Sequence, residues 1–289
     1  MTEITVLSGK GGTGKTSITA ALASVAGQAV FCDNDVDAAD LHLIFIPEKV
    51  EEHQFSSGRT AFIEPEKCIQ CGICEQHCRF GAISIADGQY QINPYQCEGC
   101  LLCERTCPQK AIYTEENLNN YWYVSNSRFG KLVHAQMGPG EENSGKLVTQ
   151  VRRRAKEIAT EIKARYIIND GPPGIGCATI SSLSGTNKVL LVIEPTLSGL
   201  HDVKRLVELI ESFDIKTYAV INKYTINQQV TEEIEQFLKI KEIPLLAKIP
   251  FEKEIVESMI FGKTIVEHIG FSEIAEQIHY IWEKLSEVS

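Results

Sequence analysis

Gly9-Lys10-Gly11-Gly12-Thr13-Gly14-Lys15-Thr16 is the stretch that decides the fold. It follows an apolar run, Ile4–Leu7, that reads as a buried strand, and it leads into Thr16–Ala26, which reads as a helix. Glycines let the backbone curl until several N–H groups face phosphate oxygens, and the helix N-terminus adds its positive end. In the pattern Gly9-x4-Gly14-Lys15-Thr16, Lys15 would reach the β- and γ-phosphates of a nucleotide and the Thr16 hydroxyl would ligate Mg²⁺. Gln28–Cys32 reads as a second strand and ends in Asp33, Asp35, Asp37 and Asp40. Carboxylates this close repel one another unless a cation sits among them. Strand, loop, helix, strand in this order predicts a parallel sheet.

The α/β alternation then stops and resumes later. Tyr121–Val124 and Lys131–Gln136 read as short strands, a hairpin across Ser127–Gly130, and Gly138–Gly145 as a polar loop. Lys146–Arg165 reads as a basic amphipathic helix, and Arg152-Arg-Arg-Ala-Lys156 on it as a solvated or docking face rather than a nucleic-acid contact. Tyr166–Asn169, Val189–Ile193, Thr217–Ile221 and Leu245–Ile249 read as strands. Leu200–Phe213, Gln228–Leu238, Glu252–Phe261 and Phe271–Ser286 read as helices. The expected fold class is α/β, a P-loop NTPase with a mostly parallel sheet flanked by helices. It occupies residues 1–54 and 116–289, interrupted by an α+β insertion at 55–115.

That insertion is duplicated. A shift of 29 residues lays Cys68, Cys71, Cys74 and Cys78 on Cys97, Cys100, Cys103 and Cys107, and Ala82-Ile83 on Ala111-Ile112. Each run has the spacing Cys-x2-Cys-x2-Cys-x3-Cys, that of a two-cluster bacterial ferredoxin. Thiolates are soft ligands suited to iron–sulfur clusters, and zinc is the minor alternative. In such runs the fourth cysteine serves the other cluster. Cys68, Cys71, Cys74 and Cys107 are therefore expected around one [4Fe–4S] cluster, and Cys97, Cys100, Cys103 and Cys78 around the other. Pro108 follows the second run, but Arg79 stands after the first, bringing a positive charge near the second cluster. Cys32 reads as core. Cys177 reads as a helix-start residue or a redox group.

A formal net charge of −10 lacks the basic face that broad nucleic-acid binding needs. No apolar run approaches the ~20 residues of a membrane span. Ferredoxin spacing, with no leader before Thr2-Glu-Ile-Thr-Val-Leu7, sets the expected location as the reducing cytoplasm.

Lys10, straight after the first glycine, resembles the deviant Walker A loop of the MinD/ParA/Mrp/nitrogenase-iron-protein-like P-loop ATPases. Gly9–Ser17 would thus hold ATP or ADP through Gly9, Lys10, Gly11, Gly12, Thr13, Gly14, Lys15, Thr16 and Ser17. The resemblance implies that Lys10 crosses a dimer interface to the partner's nucleotide. It implies that Asp35 orients or deprotonates the attacking water and that Asp33 or Asp37 sits near Mg²⁺. Asp170-Gly-Pro-Pro-Gly174 is similar to the Walker B and second switch, where Asp170 would hold the Mg²⁺ hydration shell and Gly171 and Gly174 would let the loop move. Asn222 would read adenine, and Pro250 would line the base pocket. Cys177 lies near the offset of a dimer-bridging cluster ligand, but the second cysteine that ligand needs, near Gly138–Asn143, is missing.

Taken whole, with Gly140-Glu-Glu-Asn-Ser-Gly145 as a further motif, the chain resembles the MinD-superfamily ATPases that contain an inserted ferredoxin domain. Related nucleotide domains are often described as cobyrinic-acid-synthase-like. The resemblance implies an ATP-hydrolysing dimer switch coupled to electron transfer, working as a homodimer or with a paralogue, together with a redox partner protein. The alternatives are a cluster carrier and, third, a spatial organiser. Membrane-binding organisers end in a basic amphipathic helix, whereas Glu273, Glu276, Glu283 and Glu287 here oppose only Lys284.

Overall fold

The computed structural model describes residues 1–56, 58–138 and 145–287; Gly140–Ser144 of the Gly-rich motif lie outside them. The chain forms two compact units, one containing Met1–Glu52, Trp122–Gln136 and the C-terminal half, the other mainly His53–Tyr121. In chain order the elements open with β1 (Thr2–Ser8), α1 (Lys15–Val25), β2 (Ala29–Asp33), α2 (Leu41–Phe45) and β3 (Glu48–Phe55). There follow β4 (Gly58–Ile63), α3 (Ile73–His77), β5 (Ile83–Ala86), β6 (Gln89–Ile92), α4 (Leu102–Thr106) and β7 (Ile112–Asn117). The chain continues with β8 (Asn120–Ser127), β9 (Gly130–Gln136), α5 (Lys146–Glu161), β10 (Tyr166–Pro173), α6 (Cys177–Leu183), β11 (Lys188–Ile193) and α7 (Leu197–Glu211). It closes with β12 (Lys216–Asn222), α8 (Gln228–Ile240), β13 (Leu245–Ile249), α9 (Lys253–Ile260), α10 (Ile265–Ile269) and α11 (Glu273–Ser286).

The main sheet has nine strands in the order β13-β12-β11-β1-β10-β2-β9-β8-β3. From β13 to β9 every neighbouring pair is parallel. Side chains alternate across the pleat, so both faces are apolar. Ile4, Val6, Ile168, Val192 and Val220 face one core, with Ile278 and Ile281 of α11. Leu7, Val189, Leu191 and Ile221 face the other, with Val203 of α7 and Ile234 of α8. The two strands joined across Arg128 and Phe129 extend this sheet beyond β2, and β3 caps its edge. Nothing in the charged run Glu48-Lys-Val-Glu-Glu-His-Gln-Phe55 announces a strand, because an edge strand exposed on both faces carries no alternating apolar signal.

Two sequence readings are corrected by packing. The first strand reading ended at Asn169, but β10 runs on through Asp170 to Pro173. Gly171 allows this: a Cβ there would run into the Leu7 side chain and lie 2.8 Å from the Val6 carbonyl, so its lack of a side chain serves close strand contact. Gly174 is the residue in the left-handed region, at φ 79°. Second, the basic stretch of α5 is solvated only in part: Arg153 is exposed, but its neighbours are paired. Arg152 is buried and donates to Glu3 Oε1 through Nε at 2.9 Å, and it also donates to the Ser181 and Ser184 carbonyls. Lys156 pairs with Glu3 Oε2 at 2.9 Å and Arg154 with Glu51 at 2.9 Å. Buried cations need such partners, since an unpaired one costs several kcal/mol, roughly 3–5.

The unit at His53–Tyr121 repeats its own geometry. β4, α3 and β5 map onto β6, α4 and β7: Ile63 pairs with Ile112 while Ile83 pairs with Ile92, and 63 to 92 and 83 to 112 are both steps of 29. The loops before α3 and α4 share two left-handed residues each, Gln70 and Gly72, then Gly99 and Leu101. Its buried core is small: Ala61, Cys74, Ile83 and Ile112.

Candidate functional site

Parallel pairing gathers the ends of β1, β10, β2 and β12 at one edge. Asp170 sits in register between Val6 and Asp33, so two carboxylates on neighbouring strands flank the glycine loop. The loop runs from β1 into α1 with Gly12 and Gly14 left-handed, at φ 79° and 89°. No side chain caps α1, whose first-turn N–H groups are left for a ligand. The loop borders a cleft of about 640 Å³, within the range of small-molecule sites, and Gly11–Ser17, Asp35, Asp37, Asn222 and Pro250 all line it.

The charges at its floor are closely coupled. Lys15 Nζ lies 3.1 Å from Asp170 Oδ1 and 3.5 Å from Asp35 Oδ2, ion pairs that among the described residues leave N–H donors for a further acceptor. Burial works to lower the Lys15 pKa, but Asp170, Asp35 and Asp33 together raise it. Asp170 accepts from Thr16 Oγ1 at 2.6 Å and from Thr19 Oγ1 at 2.8 Å. Asp33 is fully buried; its two oxygens accept the Asp35 N–H at 3.2 Å and the Leu41 N–H at 3.1 Å, tying down the loop that carries Asp35. Burial, then the nearby Asp170, pushes the Asp33 pKa well up. Burial also pushes Asp35 up to about 6, with Lys15 opposing and Asp170 adding to it. A carboxyl group with that pKa, open to the cleft, suits a base working near neutrality.

A family model described as "CobQ/CobB/MinD/ParA nucleotide binding domain" matches residues 4–265. The chain belongs to this family. Within the CobQ/CobB/MinD/ParA family, an uncharacterized protein of Methanocaldococcus jannaschii is 33% identical over 290 residues, 99% of this chain and 96% of that one. A second uncharacterized protein of the same organism is 30% identical over 149 residues, 52% of this chain and 49% of that one. Among solved structures, the septum site-determining protein MinD of Pyrococcus horikoshii, complexed with Mg-ADP, shares the fold at a TM-score of 0.59 and 18% identity, over 98% of this chain and 95% of that one.

In this member of the CobQ/CobB/MinD/ParA family, two implied residues have contacts the sequence did not suggest. Lys10 turns away from the cleft to Glu194 Oε2, at 2.8 Å. The Asn222 amide donates to the Thr13 carbonyl at 2.7 Å, while its buried Oδ1 has no hydrogen-bond partner among the described residues and stays available as an acceptor. A side chain at Gly14 would strike that amide. Other residues at the site were missed altogether. Thr19 bonds Asp170 from the second turn of α1, Lys223 donates to the Gly12 carbonyl at 2.7 Å, and Phe251, Ile255 and Met259 form an apolar wall of the cleft. The wall had one visible signal: apolar residues on α9 at helical spacing that bury little, Met259 remaining 41% exposed.

Cys177 starts α6 and lines the cleft, and Cys32 is buried, its thiol facing Asn34 Oδ1 at 3.1 Å. In the other unit, one small cavity is lined by Cys68, Cys71, Cys74 and Cys107. A second is lined by Cys78, Cys97, Cys100 and Cys103. Among the described residues no group of three or more His, Cys, Asp or Glu is gathered to hold a single metal ion; the thiols surround a space. No helix among the described residues is long and apolar enough to cross a membrane.

Proposed function

We propose that the chain is an ATP-hydrolysing dimer switch whose inserted unit at 55–115 is a ferredoxin-like domain holding two [4Fe–4S] clusters, so that nucleotide state and electron transfer are coupled. The observation that carries this reading is the sorting of eight thiols into two sets of four, each taking three from one run and the fourth from the other. All ten cysteines are free of disulfides. Among the described residues of 53–121 the buried apolar residues are Ala61, Cys74, Ala82, Ile83, Ala111 and Ile112, three of them alanines, far less than a unit of that length needs unless something staples it. Eight thiolates around two spaces are such a donor set, and its spacing suits clusters better than one-ion sites. Cys68, Cys71, Cys74 and Cys107 would hold one cluster, and Cys78, Cys97, Cys100 and Cys103 the other. When bound, these groups supply one-electron chemistry.

At the nucleotide site the chain's own residues account for binding and hydrolysis. The loop amides and Lys15 hold the phosphates. Thr16 and Asp170, already joined at 2.6 Å, would present oxygens to Mg²⁺, with Asp33 behind them fixing the switch loop. Asp35 takes a proton from the attacking water. Asn222 Oδ1 accepts from the base amino group, against Pro250 and the α9 wall. Lys10 completes the partner's site in a homodimer or in a pair with a paralogue; the two relatives in one archaeon suit either arrangement.

A spatial-organiser role is the second reading, favoured by the likeness to a septum site-determining protein. Helix α11 spends its apolar face, Ile274, Ile278, Ile281 and Leu285, inside the core, so this helix offers no apolar face to a membrane surface. The test of the proposal is anaerobic reconstitution with iron and sulfide, followed by iron analysis, EPR of the reduced protein and ATPase assay. Two reducible [4Fe–4S] centres with Mg²⁺-dependent ATP hydrolysis support it. A preparation that hydrolyses ATP but takes up zinc in place of clusters refutes the redox half.

A further inference from the structure

The short link between β8 and β9 carries Arg128, whose guanidinium gathers three separate pieces of chain. Nε and Nη2 donate to the two carboxylate oxygens of Glu267 on α10, each at 2.9 Å. Nη1 donates to the Ile44 carbonyl of α2 at 2.6 Å. Nη2 also donates to the Gly262 carbonyl, in the turn between α9 and α10, at 2.8 Å. The planar fork of an arginine suits this set of acceptors: one edge meets a carboxylate while the other N–H groups diverge. Burial opposes ionisation of Glu267, but the bonds from Arg128 and Thr264 outweigh it and hold its pKa below the ordinary value. The guanidinium also stands 4.5 Å from the Phe129 ring, which meets Phe45 of α2 edge-on at 4.9 Å.

Two of these pieces lead to the nucleotide cleft. The Gly262 N–H donates to the Met259 carbonyl at 3.0 Å, and Met259, with Ile255 and Phe251, is the apolar wall of the cleft. Met259 Sδ accepts in turn from Ser17 Oγ of the phosphate loop at 3.0 Å. On the other side, α2 opens with Leu41, whose N–H donates to Asp33 Oδ2 at 3.1 Å and closes the loop that carries Asp35. α2 has five residues, too few to keep a helical shape unaided, so its place is set from outside. Arg128 holds its Ile44 carbonyl, and the α9–α10 turn rests against its end, since a Cβ on Gly262 would lie 3.2 Å from Ile46 Cδ1. The wall that would cover a base and the loop that would activate water thus meet at Arg128.

We propose that Arg128 is a positioning residue: it fixes α2 against the α9 wall, so that a base seated on that wall orders the loop carrying Asp35. This rests on the reading of the cleft as an ATP site. Without the guanidinium, the Ile44 and Gly262 carbonyls lose their shared donor, α2 is free to shift, and Asp35 shifts with it. A displacement of about 1 Å at a reacting group costs about a hundredfold in rate. Binding depends on the phosphate loop and Lys15, which Arg128 does not touch, and changes far less.

The experiment pairs amide hydrogen exchange with a steady-state ATPase assay on the full chain. In the wild type, Mg-ADP should slow exchange in both α9 and α2. In Arg128→Met it should still slow α9 but no longer α2, and kcat should fall about ten- to hundredfold while the Kd of Mg-ADP changes less than about threefold. Arg128→Lys keeps a cation for Glu267 without the fork; it should show the same split at smaller size, and it keeps the test open if Arg128→Met does not fold. A merely structural arginine would lower Tm in both variants and leave kcat and the Mg-ADP protection of α2 unchanged, which overturns the proposal. Equal losses in Mg-ADP binding and kcat overturn it too. A wild type protected by Mg-ADP that hydrolyses no ATP refutes the ATPase reading instead, and α2 exchange in the variants still decides the role of Arg128. Mg-ADP that protects neither helix of the wild type overturns both.

Discussion

Replacing Asp35 by Asn should stabilise the nucleotide-free, metal-free protein while abolishing hydrolysis. Three carboxylates, Asp33, Asp35 and Asp170, bear on one ammonium, Lys15. Burial and Asp170 lift Asp35 from 3.8 to about 6, against the pull of Lys15. A carboxylate whose folded pKa is raised weighs against folding when ionised: not at all below about pH 4, fully above about pH 6. A rise of about two units corresponds to about 3 kcal/mol at pH 7.5 as an upper bound, and about half of that at pH 5. That figure is already net of the attraction of Asp35 for Lys15 across 3.5 Å; in the variant Asp170, at 3.1 Å, still holds Lys15, and the neutral amide keeps part of the burial cost. The net gain at pH 7.5 should be about 1–2 kcal/mol, or roughly 3–6 °C in Tm. The assay is thermal unfolding with chelator at pH 5 and pH 7.5, repeated with Mg-ADP, whose cation should shrink the difference. A variant less stable at pH 7.5, or a gain that does not depend on pH, would refute the charge-crowding argument.

If the Thr16 hydroxyl is a Mg²⁺ ligand, as proposed, Thr16→Ala should weaken Mg-ATP binding by about ten- to hundredfold in calorimetry and leave metal-free nucleotide binding nearly unchanged. Gly171→Ala should cost about 1–3 kcal/mol in denaturant unfolding, because a methyl group there overlaps Leu7 and Val6, whereas Gly176→Ala, with open space around it, should cost less than about 0.5 kcal/mol. Cys68→Ser and Cys107→Ser together should lose no more iron than either alone, about half the total, while Cys97→Ser with Cys107→Ser should lose nearly all of it; the opposite pattern would contradict the crossed ligand sets.

The nucleotide half of the molecule was legible because its signals are local. A buried parallel strand is a short apolar run bounded by turn residues, and the glycine loop carries its spacing in eight consecutive positions. The 29-residue repeat was equally plain, since cysteines mark it. What sequence could not show depends on distant partners. Arg152 and Lys156 read as surface charge until Glu3, some 150 positions earlier, is folded against them. Lys223 and Glu194 carry no motif, and their role follows only from β11 and β12 ending beside the loop. Thr19 looked like an ordinary helix residue because the carboxylate it bonds comes from β10. The edge strand β3 lacked a signal because neither of its faces is buried.

The most direct test of nucleotide–redox coupling is an anaerobic redox titration of the reconstituted protein, followed by EPR, with and without Mg-ATP, on wild type and Lys10→Ala. Coupling requires the midpoint potential or spin interaction of the two centres to shift with ATP in the wild type and to stay fixed in Lys10→Ala. Spectra and midpoints indifferent to ATP in the wild type would contradict it and leave an ATPase whose cysteine unit serves some other end.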